Sequence, residues 1–255
     1  MTQRPVPTIF SQKRREARLV RARSRQRRAV DPARFVLDDM GEDLLERLAF
    51  VRHDAQSPCY AGLVPQSVHD HFAARGRAAA MLDSADIERP FADRRFDLVA
   101  VFGEFDAVND LPGALIHIRN ALAPEGLAIV SFVGGSSLPK LRAAMMAADG
   151  DKPAARIHPM VDPRAAPGLL QRAGWSDPVV DTHRLTVRYG SLDTLVGDLR
   201  DQGLNCALAD HARSLGKAAL ERARAAFRDQ ADTDGKTAET FDIITLTGRR
   251  SPARG

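Results

Sequence analysis

Two apolar runs joined by one amphipathic helix constrain the fold of this chain more than any other feature. The runs are Phe96–Phe102 (FDLVAVF) and residues 127–133 (LAIVSFV), and each has the length of a buried strand. Residues 111–122 lie between them, with leucine and isoleucine at helical spacing, and predict a crossover helix. A strand–helix–strand unit of this kind is parallel and right-handed in nearly all proteins. Because both runs are apolar throughout, we expect a parallel sheet covered by helices on both faces.

The flanking segments extend this unit into an α/β domain over residues 31–250. Upstream, the pattern predicts a helix starting at Asp31-Pro32, a strand at 48–53, a helix at 65–75 and a strand at 78–82. Downstream it predicts helices at 138–148 and 169–173, one or two strands at 179–189, helices at 192–202 and 210–228, and a strand at 241–247. The glycine loop at 134–137 and the proline-rich residues 149–168 are expected at the sheet edge where α/β proteins bind ligands.

Positive charge is concentrated at the start of the sequence. Residues 1–30, the basic arm, hold ten Lys or Arg and one acid, whereas the whole chain carries a net charge of only +4. The rest of the chain is therefore net acidic, and a general nucleic-acid function is not supported. Residues 9–29 contain neither glycine nor proline and predict one basic helix.

Several interpretations of the basic arm stay open. It is a solvated charged arm, or it contacts an acidic protein partner, RNA or an anionic membrane surface. Its arginine-rich composition also resembles a mitochondrial transit peptide, so the mitochondrial matrix is the alternative to an expected cytoplasmic location. No apolar run approaches the ~20 residues that span a bilayer. Cys59 and Cys206 lie far apart without CxxC spacing, so we expect no zinc site, no disulfide framework and a reducing compartment.

Two central motifs resemble those of class I S-adenosylmethionine-dependent methyltransferases. Pro90-Phe91-Ala92-Asp93, followed by Phe96-Asp97, is similar to the approach to the fourth strand of that superfamily. The segment RNALAPEG, residues 119–126, is similar to the motif that leads into its fifth strand. The resemblance implies a Rossmann-like sheet with helices on both faces, and S-adenosylmethionine as the cofactor. It also implies that the N-terminal half of the sheet is shortened here.

A narrower resemblance covers about residues 88–250. Four segments, VNDLPGAL at 108–115, RIHP at 156–159, LQRAGW at 170–175 and GLNC at 203–206, recur in the same order in one methyltransferase-like family. That family contains the mitochondrial complex I assembly factor that acts as an arginine hydroxylase, and it has alphaproteobacterial members. The malonyl carrier-protein methyltransferases of biotin synthesis are more distant relatives. The resemblance is compatible with three functions, which are methylation, hydroxylation and complex I assembly.

The candidate cofactor site departs from the pattern of these relatives. They have a D-x-G-x-G turn after the first strand, whereas residues 50–62 of this chain contain one glycine, Gly62, and also Pro58. One strand–helix unit, with the acid that binds the ribose hydroxyls, is expected to be missing. The resemblance leaves Asp54, Asp83 and Gly103 as candidate cofactor contacts. For Asp83 the alternatives are an adenine-binding acid and a strand-end or helix-cap residue.

The candidate substrate pocket follows the fourth strand of the family. Where the narrower family carries an L-H-W-like triplet, this chain has Phe105-Asp106-Ala107. Asp106, Asn109 and His158 are the candidate pocket residues, although a helix cap for Asn109 and a structural role for His158 remain alternatives. Two functions stay open: a methyltransferase with a degenerate cofactor loop, and a non-catalytic scaffold or pseudoenzyme that retains the fold. No catalytic residue is identified from the sequence.

Overall fold

A computed structural model describes residues 7–82, 87–91, 95–210 and 212–252. The described helices are α1 (Gln12–Arg28), α2 (Phe35–Phe50), α3 (Gln66–Ala73), α4 (Leu111–Ala121), α5 (Pro139–Asp149), α6 (Ala166–Arg172), α7 (Leu192–Asp201) and α8 (Lys217–Arg228). The described strands are β1 (Pro58–Gly62), β2 (Ala80–Leu82), β3 (Phe96–Phe102), β4 (Leu122–Gly134), β5 (Ser176–Tyr189) and β6 (Thr237–Arg249). None of these helices combines the length and the hydropathy that crossing a membrane requires.

The strands form one mixed sheet in the order β2-β1-β3-β4-β6-β5. Strands β2, β1, β3 and β4 are parallel, and β6 is antiparallel to both β4 and β5. Helix α4 connects β3 to β4, as the two apolar runs predict. Two short strands, of five and three residues, precede β3 in the described part of the chain. The predicted fold class, an α/β protein with a Rossmann-like sheet, is confirmed.

Helices cover both faces of the sheet and divide the core into two layers. One layer contains alternate side chains of the central strands, such as Leu98 and Ile129, packed with α2, α5, α7 and α8. The other contains the intervening side chains, such as Val99 and Val130, packed with α4, α6 and Trp175. These four strand side chains are at most 1% exposed, which explains why the runs are apolar throughout rather than alternating.

The first strand is the main correction to the sequence-based prediction. Residues 48–53 are not a strand, because α2 continues to Phe50 and Arg52 follows in a left-handed conformation with φ of 51°. The first strand is β1, which begins at Pro58 and pairs with both β2 and β3. Its signal is weak because it is short and opens with proline, which strands accept at their first position. The turn that bears on a cofactor is therefore the one after Gly62.

Other element boundaries differ less. Helix α2 begins at Phe35 rather than at Asp31-Pro32, and α8 begins at Lys217 rather than near residue 210. Residues 179–189 belong to one strand, because β5 and β6 pair with each other along nearly their whole length. Because of the same pairing, β6 extends over Thr237–Arg249 and is longer than the apolar run at 241–247.

Candidate functional site

The carboxyl ends of the parallel strands form the edge at which α/β proteins bind ligands. At this edge β1 and β3 approach so closely that a Cβ on Gly62 would lie 1.9 Å from the carbonyl oxygen of Phe102. Gly62 and Gly103 have positive φ values of 88° and 73°, so both turns leave the sheet in conformations that favour glycine. The close approach of the two strands explains why residue 62 is a glycine, and this explanation needs no bound ligand.

Helix α1 lies across this edge and buries two of its arginines there. The guanidinium of Arg18 donates to both carboxylate oxygens of Asp106, at 2.8 and 2.5 Å, and neither side chain is more than 3% exposed. The same guanidinium lies 3.5 Å from the carbonyl oxygen of Gly103, and Arg15 pairs with Glu88. The interpretation of this segment as a solvated charged arm is wrong for this face of the helix.

The apolar side of α1 packs on the turn that follows β1. A small buried cluster joins α1 to α2 and to this turn, and it consists of Leu19, Ala22, Leu37 and Leu63. Beside the cluster, Arg23 donates to the carbonyl oxygen of Gly62 at 3.1 Å. Helix α2 also packs closely here, because a Cβ on Gly41 would lie 2.7 Å from the Pro65 ring. The turn is thus held by the protein's own side chains.

Asp106 has a second cationic partner in the proline-rich loop. Nε2 of His158 lies 3.3 Å from Oδ2 of Asp106, and His158 is 3% exposed. Burial lowers the pKa of His158, but hydrogen bonds to Asp106 and Cys206 outweigh burial and raise the pKa to about 9. Burial also opposes ionisation of Asp106, yet Arg18 and His158 hold the pKa of that carboxyl below its ordinary value. His158 is therefore protonated at neutral pH.

Cys206 completes this cluster, although the sequence analysis assigns it to no site. Its side chain lines one cavity together with His158. Burial raises the pKa of the thiol, but the proximity of His158, the backbone of Leu208 and the charge of Arg14 bring the pKa below its ordinary value. The segment GLNC is a motif of the narrower resemblance, but its partners are remote in sequence. Only the fold brings residues 106, 158 and 206 together.

Asn109 binds the start of the chain rather than an open pocket. Its Oδ1 accepts from the backbone N–H groups of Ile9 and Phe10, both at 2.8 Å, and its Nδ2 donates to the carbonyl oxygen of Phe10. The ring of Phe10 packs edge-on against His158, with centroids 5.4 Å apart. The next residue, Asp110, caps α4, which agrees with the cap-and-turn alternative. The structure therefore places Asp106, Asn109 and His158 in one region.

Two of the three candidate cofactor contacts, Asp54 and Gly103, lie within the described residues, and they are far apart. Gly103 lies at the carboxyl edge, whereas Asp54 precedes β1 at the opposite end of that strand. The carboxylate of Asp54 pairs with Arg77 and is 68% exposed. Asp54 therefore does not lie beside Gly103, because the first strand begins at Pro58 rather than at residue 48. Asp83 lies outside the described residues, and in the sequence it directly follows β2.

A cavity of about 440 Å³ lies beside the turn after β1. It is bounded by α1, α2, the start of α3 and the end of β2, and its cationic lining consists of Arg23, Arg27 and Arg34. The methionine part of S-adenosylmethionine needs an open backbone cradle, but Gly62 is followed here by Leu63, Val64 and Pro65. Because Leu63 is buried against α1, its side chain and the helix fill the space directly after Gly62.

Comparison with known proteins finds sequence similarity to methyltransferases and methyltransferase-like proteins. No family model matches the chain. It is 26% identical over 235 residues to malonyl-[acyl-carrier protein] O-methyltransferase 1 of Coxiella burnetii, a match that covers 85% of this chain and 82% of that protein. It is 33% identical over 165 residues to the human mitochondrial arginine-hydroxylase NDUFAF5, covering 62% of this chain and 47% of the human protein. The chain is a homologue of these two groups of proteins.

The match of this methyltransferase homologue to NDUFAF5 spans about half the length of that relative. Among solved structures, N-methyltransferase NodS of Bradyrhizobium japonicum aligns with a TM-score of 0.40 at 12% identity. That alignment covers 90% of this chain and 98% of NodS. The resemblance drawn from the central motifs and from residues 88–250 is confirmed by the two groups of homologues.

Proposed function

We propose that this methyltransferase homologue is a binding protein that retains the fold without using S-adenosylmethionine. The observation that carries the proposal is the position of α1. Arg18 binds Asp106 just beyond the end of β3, and Leu19 covers the turn after β1. A cofactor in this position would displace a buried ion pair, and breaking such a pair costs roughly 3–5 kcal/mol. Because the cofactor supplies the reactive methyl group, a protein without it has no methyl-transfer chemistry.

The exposed face of α1 is the surface that we assign to a protein partner. Its basic residues include Lys13, Arg21, Arg27 and Arg28. Val20, which is 61% exposed, lies on the same helix among these charges. A basic surface of this kind suits an acidic protein surface. Given the resemblance to the complex I assembly-factor family, assembly of a multi-subunit complex is the role that we propose for this surface.

An S-adenosylmethionine-dependent methyltransferase is the second candidate, and the cavity of about 440 Å³ favours it. That volume falls within the roughly 300–1,000 Å³ of small-molecule sites. In this reading Gly103 and Asp83 would contact the cofactor. The Coxiella burnetii relative, named as a malonyl-[acyl-carrier protein] O-methyltransferase, makes methyl transfer to oxygen the corresponding reaction.

Calorimetric titration with S-adenosylmethionine and S-adenosylhomocysteine separates the two candidates. A binding protein gives no heat and no thermal stabilisation at 1 mM ligand. An enzyme with a Kd of about 10 μM would gain roughly 2.7 kcal/mol of stability at that concentration, because the ligand binds only the folded state. Binding in the micromolar range would overturn the first candidate and favour the second.

A further inference from the structure

We propose that the cavity beside the turn after β1 binds a phosphate monoester that carries a ring, a ligand of the size of a nucleoside monophosphate. Its volume of about 440 Å³ falls within the roughly 300–1,000 Å³ of small-molecule sites, and a bare phosphate ion would leave most of it unfilled. The proposal rests on the proposed function, in which S-adenosylmethionine does not occupy this cavity. It assigns the cavity to a ligand of the opposite charge.

The charge of the lining determines which ligands the cavity attracts. Arg23 and Arg27 belong to α1 and Arg34 directly precedes α2, while Asp38 is the acid that lines the cavity among the described residues. Three arginines against one aspartate leave a net charge of +2, with histidine counted as neutral. A phosphate monoester, with a charge of roughly −1.5 to −2 at pH 7, complements this lining. S-adenosylmethionine has a sulfonium and an ammonium against one carboxylate, so the same lining repels its net positive charge.

The arginines that α1 contributes to the cavity differ from the other arginines of that helix in their partners. Arg15, Arg18 and Arg25 each form an ion pair with a carboxylate. Within the described ranges, Arg23 and Arg27 form no ion pair of this kind. A guanidinium without a carboxylate partner is available to another oxyanion, and its planar fork matches the geometry of phosphate. These two side chains therefore suit the phosphate end of the ligand.

Arg34 is held in position by the side chain of Gln26. Nε of Arg34 donates to Oε1 of Gln26 at 2.7 Å. Gln26 is fixed in turn, because its Nε2 donates to the carbonyl oxygens of Ala33 and Asp201 at 2.8 and 3.0 Å. Nη1 of Arg34 donates no hydrogen bond to any part of the chain that the structure describes. A cation that is positioned before the ligand arrives loses less conformational freedom on binding, so Arg34 is the residue from which we expect the largest contribution.

The rest of the lining suits the ring of the ligand. Its apolar side chains are Leu37, Leu63, Val64 and Met81. Met81 is 51% exposed, so a ring that packs against it would cover apolar surface. Pro65 also lines the cavity, and it precedes α3 without a side-chain cap, so the positive end of that helix adds to the attraction of an anion. An apolar part beside a cationic part is the lining that a nucleoside monophosphate requires.

Calorimetric titration of the full chain with adenosine 5′-monophosphate tests the proposal. We expect a Kd of about 100 μM or tighter, and binding at least about tenfold weaker for adenosine and for inorganic phosphate, because each supplies one part of the ligand. Arg34→Met should weaken binding at least about tenfold. The matched control Arg21→Met, an exposed arginine of α1 outside the lining, should leave the Kd within about twofold, because a charge outside the site is screened by solvent.

Three results of this titration would overturn the inference: no binding of the nucleotide, equal binding of adenosine, or equal losses in the two variants. A parallel titration with S-adenosylmethionine separates this failure from that of the proposed function. Heat with S-adenosylmethionine contradicts the proposed function, whereas a chain that binds neither ligand contradicts the nucleotide site alone.

Methionine methyl resonances, observed by NMR after labelling with [methyl-13C]methionine, locate the ligand without a substitution in the cavity. Met81 lines the cavity, whereas Met146 lies on α5 outside its lining and serves as the matched control. Met81→Leu assigns the resonance. We expect the purine ring to shift the Met81 signal and to leave the Met146 signal unchanged. Heat in the calorimeter without a shift at Met81 would place the nucleotide elsewhere and overturn the inference.

Discussion

Replacing Arg18 with methionine removes one charge from the buried cluster while keeping a long side chain on α1. The side chain of Arg18 is fully buried, and its two hydrogen bonds to Asp106 are 2.5 and 2.8 Å long. After the substitution Asp106 remains buried, with His158 as its remaining cationic partner among those described. The variant therefore leaves a buried carboxylate with one of its two cationic partners.

The expected cost follows from the burial of both partners. Removing one member of a buried ion pair costs roughly 3–5 kcal/mol, because the other charge stays desolvated. His158 continues to neutralise part of the charge on Asp106, so we expect a loss near 3 kcal/mol for Arg18→Met. The double variant Arg18→Met, Asp106→Asn should recover part of this loss, since the uncompensated charge is gone.

Urea denaturation followed by circular dichroism at pH 7 measures these differences. Arg21→Met is the matched control on the same helix, because Arg21 is exposed. A surface substitution of this kind changes stability by less than about 0.5 kcal/mol. A loss for Arg18→Met that equals the loss for Arg21→Met would refute the argument that the Arg18–Asp106 pair is buried and anchors α1.

Three further predictions concern pH, backbone strain and the exposed residue Asp54. Folding raises the pKa of His158 from 6.5 to about 9, so protonated His158 stabilises the folded state fully below pH 6.5. This contribution of roughly 3 kcal/mol is lost as the pH rises through 9. In His158→Gln, the free energy of unfolding measured in urea should change much less between pH 6.5 and 9. Gly62→Ala should cost roughly 3 kcal/mol because its Cβ meets Phe102, whereas Gly76→Ala, with positive φ and open space, should cost about 1 kcal/mol in the same assay. Asp54→Asn should change stability by less than about 0.5 kcal/mol and leave ligand titrations unaltered, because Asp54 is exposed and remote from the edge.

The central part of the fold could be predicted because its signal is local. Residues 96–102 are buried on both faces, so a continuous apolar run marks the strand, and the periodicity of α4 marks the crossover. The start of the sheet could not be predicted in this way. β1 is short and begins with proline, which weakens its strand pattern. The apolar residues at the end of α2, by contrast, have the pattern of a short strand. Its position depends on pairing with β3, which is a tertiary contact.

The sequence predicts part of this region. The motif resemblance points to Asp106, Asn109 and His158 as pocket residues, and the structure brings the three into one region. The contribution of α1 could not be inferred, because a run of arginines predicts a solvated surface unless buried acids such as Asp106 are known to face it. Cys206 was missed because a lone cysteine in a loop has no local signal.

Hydrogen exchange of α1, with and without S-adenosylhomocysteine, tests the central claim of this account most directly. The claim is that α1 is part of the domain and fills the edge where β1 and β3 end. We expect the amides around Leu19 and Ala22 to be protected to nearly the same degree as those of β3, with no change at 1 mM ligand. Rapid exchange of α1 in the free protein, or protection that appears only when the ligand is added, would contradict the claim and indicate a helix that closes over a bound cofactor.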